Sequence, residues 1–159
     1  FENVFKKKKL DKIFFFLIFF LIGNNIYSII KTHPFQSFYF NSLLSKQTKN
    51  GYEGDYYGLG VKHFFEKILK IDNSKIIKVA IASHTPLQRG LEALDDKNRQ
   101  RFMIIGQEYG SADYIFKNNI SEVNSELIKK YEIPENFSKI YELTIDNVTI
   151  YEIYKPKKL

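Results

Sequence analysis

The side chains that could carry chemistry in this chain are few and widely spaced. Its three histidines, His33, His63 and His84, lie far apart, and none has a His or a carboxylate at the spacing of a known zinc motif. Ser83 precedes His84 at a predicted strand end, which suggests a nucleophile beside a base, but neighbouring residues of an extended segment point to opposite sides. Because the chain has no cysteine, thiolate catalysis, Cys-based metal sites and disulfides are excluded.

A second group of candidate residues lies in a glycine-punctuated stretch. Its glycines fit neither the phosphate loop, which ends in Gly-Lys-Ser or Gly-Lys-Thr, nor the dinucleotide fingerprint, which follows a strand: Gly51, Gly54, Gly58 and Gly60. Glu53 and Asp55 form a carboxylate pair that could serve acid/base catalysis. The alternative, which we favour, is that these carboxylates cap the helix that follows by accepting hydrogen bonds from its free N–H groups.

An apolar stretch near the N-terminus precedes all of these candidate residues. Ile13 to Ile22 is continuously apolar, and residues 13–30 together rise about 27 Å in a helix, close to the length that a membrane span needs. We therefore predict a transmembrane helix over residues 13–32. A signal peptide and a buried helix of a soluble protein are the alternatives, but no small-residue cleavage site follows, and soluble core helices are rarely apolar on every side.

The positive charge is concentrated beside this helix. Of the formal net charge of +6, residues 1–33 carry six Lys against Glu2 and Asp11, which leaves a nearly neutral remainder. A nucleic-acid partner is excluded because its phosphates require a basic face, whereas a basic cluster beside an apolar helix predicts contact with membrane lipid. The positive-inside rule makes residues 1–12 a cytoplasmic segment and places the rest outside the cytoplasm. Asn24 and Asn25 favour neighbouring helices, and hence a multi-span parent protein.

Two further regions follow the helix. Residues 33–60 are a membrane-proximal linker rich in aromatic residues and glycine, and residues 61–159 form one soluble domain, which we predict to be α/β with a mixed sheet, while α+β remains open. The periodicity predicts these elements: a helix over 61–70, a strand over 76–82, a helix over 86–101 that is interrupted near Asp95-Asp96, where a carboxylate could cap the next turn, strands over 102–105 and 112–117, a polar loop over 118–136, and a β-hairpin that turns at Asp146-Asn147. The tail, residues 155–159, is predicted to fray.

Three short motifs occur in a fixed order after the apolar helix: His33-Pro34-Phe35-Gln36, Phe38-Tyr39-Phe40-Asn41 and Glu53-Gly54-Asp55-Tyr56-Tyr57-Gly58-Leu59. Their order and their distance from the helix resemble the C-terminal part of bacterial polyprenol-phosphate-sugar glycosyltransferases, relatives of the dolichyl-phosphate-mannose protein mannosyltransferases. That family has Tyr where this chain has Phe35 and Trp where it has Tyr57, and both are exchanges of one aromatic side chain for another.

The resemblance implies a multi-span enzyme of the C-type glycosyltransferase fold in the bacterial inner membrane. Such enzymes transfer a sugar from a polyprenyl-phosphate donor outside the cytoplasm. The family's catalytic acid lies in the first extracytoplasmic loop and has no counterpart here, so this segment would be accessory, without a catalytic residue, a metal site or a cofactor of its own. A divalent metal in the parent is compatible with the resemblance.

The residues closest to substrate would form a membrane-proximal strip: His33, Tyr39, Asn41, Asp55 and Tyr56. Their polar ends would face the donor phosphate or the acceptor, or else would lock the domain to the helix. Two other functions stay open on the sequence. One is a single-span anchored domain that binds a protein or glycan without catalysis, and the other is a secreted enzyme released from a signal peptide.

Overall fold

A computed structural model describes the backbone of residues 2–36, 45, 48, 55, 58–118 and 131–157, with side chains from residue 11 onward. The chain divides into two compact units, Phe1–Tyr39 and Phe40–Leu159. The predicted positions Tyr39, Asn41 and Tyr56, and most of the polar loop at 118–136, lie outside the described residues.

The first unit contains one long helix, α1 (Glu2–Lys31). Its segment Asp11–Lys31 has 21 residues and a mean hydropathy of 2.2, so by length and composition it is a candidate membrane span. The basic residues before the span belong to the same helix. After α1, Thr32 donates both its N–H and its hydroxyl to Ser28 O, each at 3.0 Å, and these bonds satisfy a carbonyl at the helix end. Pro34 follows at once, as expected where a helix stops.

The second unit is α/β, with a mixed five-stranded sheet. Its elements, in chain order, are α2 (Leu59–Ile71), β1 (Ile77–Ile81), α3 (Gln88–Glu92), α4 (Asp96–Arg99), β2 (Phe102–Ile104), a 3₁₀ turn (Tyr109–Ser111), β3 (Tyr114–Asn118), β4 (Phe137–Ile145) and β5 (Val148–Pro156). The predicted α2, β1, β2 and β3 are confirmed with shifts of one or two residues at their ends. The interruption predicted near Asp95 separates α3 from α4.

The strands lie in the order β2-β1-β3-β5-β4. β1 pairs in parallel with both β2 and β3, whereas β5 pairs antiparallel with β3 and with β4. The parallel strands are largely apolar, as expected for strands of a sheet that is covered by helices and loops. The hairpin turn at Asp146 and Asn147 has φ values of 48° and 64°, as a two-residue hairpin turn requires, so this prediction is confirmed.

Aromatic side chains from α2 form the core on one face of the sheet. Phe64 packs edge-to-face on Phe116 with ring centroids 5.0 Å apart, and Phe65 packs on Phe102 at 4.7 Å. All four side chains are buried, and each contributes on the order of 2 kcal/mol to folding. A second buried cluster contains Ala80, Ala82, Ala112, Ile115 and Phe137.

The prediction that the tail frays from residue 155 is wrong for its first two residues. Lys155 and Pro156 belong to β5 and pair with Ser138 and Phe137 of β4. Lys155 Nζ also donates to the Tyr114 hydroxyl at 3.1 Å. The charged composition of residues 155–159 does not indicate a strand, because the pairing with β4 and the contact with Tyr114 depend on residues that are distant in the sequence.

Candidate functional site

The carboxyl ends of the parallel strands are the part of the sheet where polar side chains converge. From β1 the chain passes to β2 on one side and then returns to β3 on the other side, so the strand order reverses between β1 and β3. In open α/β sheets, ligands bind outside the carboxyl ends of the strands at such a switch point. Three polar residues lie there, and we call them the strand-end cluster: Ser83, Thr85 and Asn118.

The strand-end cluster is held by short hydrogen bonds. Asn118 Nδ2 donates to Thr85 Oγ1 at 2.6 Å, and Thr85 N–H donates to Ser83 Oγ at 3.0 Å. All three residues are buried, and Asn118 exposes 6% of its surface. Asn118 Oδ1 has no hydrogen-bond partner among the described residues. Burying such a group has a cost, so the cluster is not explained by packing alone.

The N-terminus of α2 lies against this cluster. Gly58 precedes α2 with φ of 68°, a left-handed conformation that glycine adopts without strain, and a Cβ placed there would lie 3.9 Å from Thr85 Cγ2. The Asp55 carboxylate accepts a hydrogen bond from Gly60 N–H, with Oδ2 2.9 Å from the nitrogen. A Cβ on Gly60 would lie 2.7 Å from this oxygen, so glycine is what allows the carboxylate to approach.

Asp55 is a buried carboxyl group with 3% of its surface exposed. Burial raises the pKa of Asp55 from 3.8 to about 6, and the N–H groups of Gly60 and Leu59 offset part of that rise. Ile150 and the ring of Tyr151 pack on the same glycine from β5. For Asp55 the helix-capping alternative is therefore what the structure shows.

The histidines of the domain have separate partners. The exposed His84 pairs through Nδ1 with the Tyr131 hydroxyl at 3.2 Å, whereas the buried Ser83 hydroxyl accepts from the backbone of Thr85. This geometry gives the Ser83–His84 pair no nucleophile–base contact. His63 Nδ1 lies 2.7 Å from the Tyr151 hydroxyl, and burial lowers the pKa of His63 below 6.5.

Of the five predicted site residues, the structure describes two. His33 lies in the turn after α1, exposed, where Gln36 Nε2 donates to its Nδ1 at 2.6 Å. Asp55 lies at the start of α2, buried. Tyr39, Asn41 and Tyr56 lie outside the described residues, so their place beside a substrate stays a prediction.

Sequence reasoning missed Thr85 and Asn118. They are 33 residues apart and meet only because β1 and β3 are neighbours. The available signal was positional, since a polar residue just after an apolar parallel strand lies at the binding edge of an α/β sheet. Within residues 11–36, 58–118 and 131–157, no three His, Asp or Glu side chains come together as a metal site.

Comparison with known proteins adds no relative: the chain matches no family model, no curated protein and no solved structure.

Proposed function

We propose that this chain is the C-terminal, extracytoplasmic part, with its last transmembrane helix, of a multi-span glycosyltransferase in the bacterial inner membrane. The parent would transfer a sugar from a polyprenyl-phosphate donor, and this segment would be an accessory to the membrane active site. The observation that carries the proposal is the apolar helix Asp11–Lys31, which ends two residues before the motif His33-Pro34-Phe35-Gln36. The mixed α/β unit that follows agrees with the domain that the resemblance implies.

The accessory role is supported by what the described polar groups do. The Asp55 carboxylate accepts a hydrogen bond from Gly60 N–H at the start of α2. Ser83 Oγ accepts from the backbone of Thr85, whereas His84 pairs with the Tyr131 hydroxyl. These groups hold the chain in place, and none forms a nucleophile–base pair. In the proposal, Asp55 is a positioning residue that fixes the segment before α2, while His33 is exposed and available to the donor or the acceptor.

The orientation follows from charge. Lys6 to Lys9 and Lys12 precede the apolar segment, so the positive-inside rule keeps them in the cytoplasm and exports the domain. The absence of cysteine makes this directly testable, because each introduced cysteine is the chain's one thiol. In intact cells from which only the outer barrier has been removed, a membrane-impermeant maleimide should label Lys97→Cys, on the exposed surface of α4, and spare Lys9→Cys. Labelling of Lys9→Cys alone would show that the chain has the opposite orientation in the membrane.

The enzymatic part is tested on the native gene product. Extracted from membranes, it should have a mass several times that of the 159-residue chain, with many apolar segments upstream. A mass near that of this chain would instead leave a single-span anchored binding domain without catalysis. Loss of transfer on treatment with a chelator would show that the parent requires a divalent metal.

The role of His33 is tested in the same full-length protein. His33→Ala should lower sugar transfer from a polyprenyl-phosphate donor by more than it lowers the abundance of the protein in membranes. The matched control is His84→Ala, another exposed histidine with a side-chain partner, which should change transfer and abundance equally. Equal losses of transfer and abundance in His33→Ala would reduce His33 to a structural residue.

A further inference from the structure

One hydrogen-bonding group of the strand-end cluster is not used by the described part of the chain. Asn118 Nδ2 donates to Thr85 Oγ1 at 2.6 Å, whereas Asn118 Oδ1 has no hydrogen-bond partner among the described residues. Asn118 exposes only 6% of its surface, so bulk water does not supply the missing bond. A buried amide without its full set of hydrogen bonds is costly, and each such group requires an explanation. Asn118 Oδ1 is therefore a candidate contact for a ligand.

The hydroxyl group of Thr85 has a donor proton next to this acceptor. Thr85 Oγ1 accepts from Asn118 Nδ2, and its own proton is donated to no residue that the structure describes. Thr85 is held in place by Ser83, whose Oγ accepts from Thr85 N–H at 3.0 Å. Thr85 and Asn118 thus offer one donor and one acceptor on two buried side chains that are in direct contact.

These two residues lie where open α/β sheets bind ligands. Thr85 follows β1 and Asn118 ends β3, at the carboxyl ends of two parallel strands between which the strand order reverses. The start of α2 lies against the same place, because a Cβ on Gly58 would be 3.9 Å from Thr85 Cγ2. The unpartnered carboxamide and the reversal of strand order are independent observations, and both indicate a binding site at this edge of the sheet.

The surroundings of Thr85 and Asn118 favour a neutral ligand over an anion. At the start of α2, Gly60 N–H donates to Asp55 Oδ2 at 2.9 Å and Val61 N–H donates to Gly58 O at 3.1 Å, so these groups are not free to bind a phosphate. Within the part of the chain that the structure describes, no Lys or Arg side chain forms a hydrogen bond with Thr85 or Asn118.

A hydroxyl group matches what the two side chains offer, because it can both donate and accept a hydrogen bond. It also fits if the carboxamide is turned over, in which case Asn118 would donate to the ligand and Thr85 Oγ1 would accept from it. Two hydroxyl groups on adjacent carbons can contact both side chains at once, since Thr85 and Asn118 are hydrogen-bonded to each other. The matching chemistry is therefore that of a vicinal diol.

We propose that Thr85 and Asn118 bind a neutral ligand with hydroxyl groups on adjacent carbons, one donating to Asn118 Oδ1 and the other accepting from the Thr85 hydroxyl. Because both side chains are buried, the ligand enters through a local opening of the chain and is enclosed once bound. The inference goes beyond the proposed function, which gives the domain no ligand of its own, and it does not depend on that function.

The test follows binding to the full chain in detergent micelles by NMR, on the backbone amide signals of Ser83, Thr85 and Asn118. The probes are ethylene glycol, the smallest vicinal diol, and myo-inositol, a ring polyol. Dimethoxyethane, in which methyl groups replace both hydroxyl protons of ethylene glycol, is the matched control, and inorganic phosphate is the charged control. At least one polyol should shift these signals to saturation, with an affinity about 5-fold or more above that of either control. A response to neither polyol, or an equal response to a control, would overturn the inference.

Variants show whether these two side chains form the site. Thr85→Val combined with Asn118→Leu removes both polar partners and keeps side chains of similar size, so the polyol affinity should fall by about 10-fold or more while the chain still folds. Thr149→Val, at a hydrogen-bonded threonine in β5, is the matched control and should keep the polyol affinity. A folded double variant that binds as tightly as the wild type would make the cluster purely structural and overturn the inference.

The single substitution Thr85→Val keeps the test decisive if the double variant does not fold. It exchanges one hydroxyl group for a methyl group and leaves Asn118 in place, so the polyol affinity should fall by about 5-fold or more. An unchanged affinity in Thr85→Val would also overturn the inference.

Discussion

Replacement of Asp55 by asparagine isolates the effect of one buried charge. Asparagine has nearly the same shape, and its side-chain oxygen can accept the hydrogen bond that Gly60 N–H donates at 2.9 Å. The substitution therefore keeps the contact at the start of α2 and removes the charge. That charge is unfavourable in the folded state, since burial raises the pKa of Asp55 from 3.8 to about 6.

The sign and size of the effect follow from linkage. Between about pH 4 and pH 6 the folded chain holds a proton that the unfolded chain has released, so the stability from this group is present at low pH and is lost as the pH rises through about 6. A pKa difference of about 2 units at about 1.4 kcal/mol per unit corresponds to about 3 kcal/mol. At about pH 7.5, Asp55→Asn should be more stable than the wild type by up to this amount, and at about pH 4 the two should agree within about 0.5 kcal/mol.

The assay is urea unfolding of the full chain in detergent micelles, followed by tyrosine fluorescence, which is suitable because the chain has 11 Tyr and no Trp. Comparison of the two proteins at each pH cancels the contributions of the other titrating groups to the free energy of unfolding. One of these is His63, whose lowered pKa acts in the opposite direction. A difference in free energy of unfolding that stays constant from about pH 4 to about pH 7.5 would refute the reasoning, as would an Asn variant that is less stable at every pH.

Three further predictions concern single sites of the domain. Gly60→Ala should lower the free energy of unfolding by about 1–3 kcal/mol, because the new Cβ meets the Asp55 carboxylate, whereas Gly110→Ala, with open space around it, should leave it nearly unchanged. Asp95→Ala should lower the free energy of unfolding, since the Asp95 carboxylate caps α4 by accepting from Asn98 N–H at 3.0 Å; urea unfolding measures the effects of the glycine and the aspartate substitutions. The His63 ring, followed by NMR, should titrate below 6.5 in the folded chain and near 6.5 in urea, and a folded midpoint above 6.5 would contradict its burial.

The elements that the sequence predicted well are those with local causes. α2 was predictable because its apolar residues recur at helical spacing, and the hairpin because alternating strands flank a two-residue turn. Asp95 was recognisable as a capping residue from its place in an interrupted helical pattern, and it does cap α4. Each of these signals lies within about a dozen residues of the chain.

The features that sequence reasoning missed depend on strand pairing. The contact between Thr85 and Asn118 exists because β1 and β3 are neighbours, and nothing near either residue encodes that pairing. The extension of β5 to Pro156 has the same origin, in its register with β4. Of the predicted strip, Asp55 was also predicted as a helix cap, and the structure shows this contact. The positions of Tyr39, Asn41 and Tyr56 beside a substrate remain predictions, because these residues lie outside the described part of the chain.

The position of β5 bears on how the domain is made. β5 follows every other strand that the structure describes, yet it lies inside the sheet, between β3 and β4. Until residues 148–156 have left the ribosome, β3 keeps an open apolar edge, and such edges promote aggregation. We therefore expect the domain to fold only after this segment is synthesised, so a product shortened by one strand would be recognised by chaperones and proteases as unfinished.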